Sequence, residues 1–215
     1  MNPGRTLGGV LGDASATLAA RPVPSGVPRW ELAELAGRLV ELAGWRAGAA
    51  FSSALALVVD AQRSGETAAW VGPRARAFFP PDAEAAGVDL AALPVVRVAE
   101  ARAIPFAADV LARSGAFGLL VLDVGSAAPA MGVLARLAGL ARAHAAAIVL
   151  LTEKPPERAS LGSVVSFRAD ASFARAPGPD QQSGAFAHEL AVTRDRVRAL
   201  SWRKVELRRG PPGLS

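Results

Sequence analysis

The chain has 215 residues, 51% of them hydrophobic and 6% aromatic, enough for one sizeable domain around a closed core and too apolar for a disordered polymer. It holds no cysteine, which excludes disulfides, thiol catalysis and cysteine metal sites, and its two histidines, His144 and His188, lie too far apart in sequence to suggest a shared metal site. The net charge of +5 comes with Lys154 and Lys204 as the only lysines, so 22 of the 24 basic residues are Arg (24 − 2). With the abundant Ala, Gly and Pro this reflects GC-rich coding and argues only weakly for nucleic acid.

Residues 1–30 are rich in Gly and Pro and read as a tail with at most one short helix; no secretory signal or bilayer-length apolar run is seen, so a soluble cytoplasmic protein without membrane contact is expected. A single domain is expected over 31–210, followed by a loose tail over 211–215. Leu39 to Leu42 predicts a strand and Gly48 to Arg63 a buried helix, closed by Ser64-Gly65. Strands follow at Thr67–Val71 and Pro94–Val98, then a helix over Ala101–Arg113. The apolar run Leu119–Leu122 ending in Asp123 predicts a strand buried on both faces. A helix over Ala130–Ala143 and a strand over Ala147–Leu151 complete an alternation that implies a mostly parallel sheet flanked by helices. Beyond Thr152 the strands Val164–Phe173, Ala185–Thr193 and Arg203–Arg208 lack intervening helices and predict an antiparallel or mixed edge. In the last of them Val205 and Leu207 face one side while Lys204, Glu206 and Arg208 face the other.

The stretch Gly37-Arg38-Leu39-Val40-Glu41-Leu42-Ala43-Gly44 resembles the strand that enters the phosphate loop of RecA recombinases. Ala68–Val71, Ala85–Leu90, Leu111–Gly115, the Walker B-like Leu119–Asp123 and Val192–Gly210 follow in the family's order. The resemblance, running from about Gly37 to Gly210, implies a RecA-like P-loop ATPase core. The departures matter more. A phosphate loop needs glycine amides, a lysine for the terminal phosphates and a hydroxyl for magnesium. Counted from Gly44 through Trp45 and Arg46, those positions hold Ala49, Ala50 and Phe51, although Gly48 lies one register away. Arg74 stands where the family carries the glutamate that positions the attacking water, and an arginine cannot accept a proton at neutral pH. Asp123 is kept, as a metal ligand without a triphosphate or as a strand-end acid bonded to nearby amides. Trp45 either fills the vacated space or anchors a partner, filling being the favoured expectation. Hydrolysis is expected to be lost, and no cofactor or metal is expected. Glu153 to Ser163, with Lys154, Arg158 and Gly162, lacks the aromatic interleaving of a single-strand binding platform.

Such erosion resembles the ImuA family, RecA-like accessory proteins of bacterial damage-induced mutagenesis related to the SulA division inhibitors. That resemblance implies a non-catalytic adaptor in the SOS response. Its implied partners are RecA, an ImuB-type inactive Y-family polymerase homologue and an error-prone replicative-type polymerase, with DNA bound only weakly or indirectly. A SulA-type division inhibitor, a weak nucleotide switch using Arg46, and a DNA-binding module are the alternatives. Candidate contacts for a partner or DNA are Arg194, Arg196, Arg198, Arg203, Lys204, Arg208 and Arg209. These read as a solvated strand edge, as a salt-dependent DNA surface, or, for Arg194 and Arg196, as the basic pair that RecA extends to a neighbour's ATP.

Overall fold

The computed structural model describes residues 26–45, 48–75, 78–175 and 185–209; residues 1–25 of the tail expected over 1–30, the tail at 211–215, and Arg46 lie outside them, while Trp30 of that expected tail is buried in the core. One sheet of eight strands organises the molecule: β1 Leu39–Gly44, β2 Ala68–Pro73, β3 Val95–Val98, β4 Leu119–Gly125, β5 Ala147–Glu153, β6 Phe167–Arg175, β7 Ala185–Asp195 and β8 Trp202–Arg209. Their order across the sheet is β3-β2-β4-β5-β1-β6-β7-β8. The first six are mutually parallel, and β7 pairs antiparallel with both β6 and β8. The fold is therefore α/β, mostly parallel, with a mixed edge built by the last strands.

Burial explains why the central strands read as continuous apolar runs. Alternate residues of β1, β4 and β5 feed two separate cores, one on each face. On one face Val40, Leu42, Trp70, Val121 and Val149 pack under α1 (Leu32–Leu35), α2 (Ala49–Arg63) and α3 (Pro80–Ala85). On the other, Leu39, Val71, Leu122, Ile148 and Leu150 pack under α4 (Ile104–Ser114) and α5 (Met131–Ala143). Helix α4 stops at Gly115, which is left-handed (φ +66°), and a Cβ there would come within 2.7 Å of the His144 ring. Only glycine meets both conditions.

Several boundaries differ from the sequence expectation. The strand expected from Val164 begins at Phe167, and the helix expected from Ala101 opens with a 3₁₀ turn before Pro105 sits in the first turn of α4. Helices α1 and α3 have four and six residues, too short to show a period. Tertiary contacts hold α1: the Leu32 N–H donates to Asp60 at 2.7 Å, and the indole of Trp30 donates to the Ser53 carbonyl at 2.9 Å.

Candidate functional site

The turn from β1 into α2 lies at the carboxyl end of a strand near the middle of the sheet, where open α/β sheets place their ligands. Gly48 precedes the first helical residue, and a Cβ added there would meet nothing within 4 Å. The next three side chains are apolar and carry no group that could bind an anion or a metal. Ala49 and Ala50 are buried, and Phe51 packs against Trp70 (ring centroids 4.7 Å) and Phe78 (6.0 Å). Trp70 and Phe78 are themselves 5.2 Å apart, so three rings close the space beside the helix start. Trp45 does not do this filling: it remains 44% exposed and lines a cleft instead. The reason is chain direction, because Trp45 follows the last residue of β1 whereas Phe51 lies within α2.

A histidine stiffens the same helix start. His188, buried on β7, lies 3.0 Å from the Ser53 hydroxyl and 3.2 Å from the Ala49 carbonyl through Nε2, with its ring 5.2 Å from Phe173. Burial holds its pKa below the ordinary value, with the neighbouring cations Arg208 and Lys204 adding to that. His144 is remote, at the end of α5, and among the described residues no cluster of His, Asp or Glu could hold a metal ion.

The cleft, of about 510 Å³, opens at the ends of β1, β4 and β5 and is lined by Trp45, Gly125–Ala128, the end of β5 (Thr152 and Glu153) and Lys154, Pro155 and Arg158–Leu161 of the β5–β6 loop. Three of its lining residues, Lys154, Ser160 and Leu161, hold a buried acid. Glu41, fully buried in mid-strand, pairs with Lys154 and accepts from Ser160 Oγ at 2.7 Å and the Leu161 N–H at 3.0 Å. Burial alone would raise the Glu41 pKa, but Lys154 and these donors outweigh it and hold the carboxyl below its ordinary value. Further cations bind the same loop. Lys154 donates to Ala159 O (2.7 Å), Arg168 to Arg158 O (2.5 Å) and Pro156 O (3.1 Å), and Arg194 to Gly162 O (3.3 Å). Lys154 is thus a structural lysine rather than an outward contact. Arg158 keeps its side chain at the exposed cleft rim, and Gly162 abuts Met131.

Asp123 is partly buried on β4, on the Trp70 side of the sheet, where a Cβ on Gly72 would lie 3.5 Å from its own Cβ. Arg74 is exposed just beyond β2, its N–H bonded to Val98 O at 2.9 Å.

The basic residues near the end of the chain do not form one free cationic stripe. Arg198 is a correction: its side chain is buried in a pair with Glu34 (2.5 Å) and donates to Gly26 O, so its guanidinium is spent inside the fold. Arg203 pairs with Glu189 (2.9 Å), and Lys204 and Arg208 both pair with Glu206 (2.6 and 3.1 Å). Arg196 is exposed, while the side chain of Arg209 lies outside the described residues. Sequence reasoning missed Glu41 and Asp195 as the buried partners of Lys154 and Arg38. The available signal was a lone acid inside an apolar strand, which burial tolerates only when it is paired. Compared with known proteins, the chain matches no family model and no curated protein sequence.

Proposed function

We propose that this chain is a non-catalytic RecA-like adaptor of the bacterial SOS response. It binds RecA and a translesion polymerase assembly containing an ImuB-type inactive Y-family homologue. The observation that carries the non-catalytic part is the first turn of α2, where Ala49, Ala50 and the ring-stacked Phe51 occupy the positions that would serve phosphate and magnesium. The RecA-like part is supported by the strand–turn–helix unit near the sheet centre and by Asp123 at the end of β4, one strand removed from β1. The partners rest on the resemblance between Gly37 and Gly210 alone.

Each lost charge-assisted contact to phosphate is worth about 1.5–3 kcal/mol. Calorimetric titration with magnesium-ATP is therefore expected to give an affinity about two to four orders of magnitude weaker than an intact phosphate loop provides. Submicromolar binding, or turnover, would remove the non-catalytic reading. The adaptor reading is tested by capturing the tagged chain from DNA-damaged cells and identifying bound proteins by mass spectrometry. RecA recovered with polymerase subunits is the expected result. A cell-division protein in their place would shift the assignment to the SulA-type inhibitor, and recovery of DNA alone would end it.

A further inference from the structure

The last strand presents its two faces in an unusual way. Its charged side (Lys204, Glu206, Arg208) shares the sheet face with His188, Leu190 and α2, through the register Lys204↔Leu190 and Glu206↔His188. Its apolar side lies on the opposite face. There Val205 is 55% exposed and Leu207 is 61% exposed, opposite Glu189 and Ala187. Strand β8 is also the sheet's edge: it has β7 on one flank and no strand on the other among the described residues. Eight residues run in unbroken register with β7, with no bulge and no proline. A long regular edge carrying adjacent same-face apolar side chains is the kind that pairs with another chain.

From this edge we infer a docking site for an acidic extended segment of another protein, which adds to β8 as a ninth strand. Its apolar residues cover Val205 and Leu207, and its carboxylates, on the other face, meet Lys204 and Arg208. Main-chain hydrogen bonds supply affinity in such strand addition, and alternate side chains supply specificity. Charge selects the occupant. The described charged side chains of β8 are three cations and one acid, and each cation is already within 3.1 Å of a carboxylate of this chain (Glu189 or Glu206). Counting Glu189 and Glu206, the cations still outnumber the acids three to two, a surplus that favours an acidic segment, whereas a second copy of β8 would bring its own surplus of cations. A nucleic acid offers neither a strand ladder nor apolar residues for Val205 and Leu207. The inference is separate from the reading of the β1–α2 turn and holds or fails without it.

The test uses the full chain and a fluorescein-labelled eight-residue peptide alternating glutamate with valine or leucine. Two further versions carry N-methyl groups along one backbone edge or the other. Anisotropy is expected to show saturable binding that weakens at least tenfold in the Val205→Ser, Leu207→Ser double variant. Only one N-methylated version should bind, because only one backbone edge faces β8. Equal binding by both N-methylated versions would reduce the effect to charge adsorption and overturn the proposal. So would absence of binding, or a dimer in sedimentation that the double serine variant dissociates, since the occupant would then be a second copy.

Discussion

Replacing Asp195 by alanine is expected to lower the free energy of unfolding by about 3–5 kcal/mol, because it strands a buried guanidinium. The Asp195 carboxylate accepts from Arg38 Nη2 at 2.6 Å, with both side chains under 5% exposed, and from the Val197 and Arg198 N–H groups at 2.9 and 3.2 Å. Arg38 also donates to Ser166 O at 2.9 Å and lies 4.9 Å over the Phe167 ring. The pair ties the start of β1 to the turn after β7, fastening the mixed edge of the sheet to its parallel centre. Urea titration measures the loss. The double replacement Arg38→Met with Asp195→Leu should recover part of it, since an apolar pair of similar volume needs no compensation for buried charge, while the Val197 and Arg198 N–H groups still lose their acceptor. Acid should have a related effect. Burial pushes the Asp195 pKa up, but Arg38 and the two N–H donors outweigh it and hold the carboxyl below its ordinary value. A carboxyl with a depressed native pKa contributes stability above its unfolded value, ordinarily 3.8, and that contribution is lost as pH falls through the lower native value. The wild-type and Asp195→Ala stability curves should therefore converge in acid and separate toward neutrality.

Local pattern made the frame of the molecule legible. Helix α2 shows in the sequence as an apolar stretch between Gly48 and Ser64-Gly65, and β4 and β5 as apolar runs, because strands buried on both faces cannot carry polar residues without partners. Pairings between distant residues stayed hidden. Arg198 belongs by sequence to a basic cluster, yet Glu34, brought beside it by the fold, takes its charge out of solution. The same holds for the last strand. Alternation separated Val205 and Leu207 from Lys204 and Glu206, but which side α2 covers depends on the crossing of β7 under that helix, seen in the contact of His188 with Ser53. In the candidate site, the apolar start of α2 at Ala49, Ala50 and Phe51 was legible from the residues themselves. The ring that closes the space was not, since Phe51 and Trp45 differ only in which element holds them.

Replacing Lys154 by methionine should cost a comparable amount, about 3–5 kcal/mol, and in addition loosen one wall of the cleft. The charge left behind is Glu41, fully buried in β1 and dependent on Lys154, Ser160 and the Leu161 N–H for compensation. Without the lysine, the balance that holds the carboxyl ionised tips toward the burial that raises its pKa. The β5–β6 loop also loses the bond from Lys154 to Ala159 O and depends more on Arg168 and Arg194. Amide exchange across residues 154–163 should accelerate more than exchange in β4 or α2, and urea titration should show the global loss. Adding Glu41→Gln should restore part of the stability, because a neutral amide keeps bonds to Ser160 and Leu161 without a stranded charge. The same variant separates two roles for the lysine. A lysine that served DNA by reaching solvent would, when removed, weaken salt-dependent adsorption and leave stability unchanged. The inward pairing with Glu41 predicts the reverse: stability and loop exchange change, while adsorption to DNA does not.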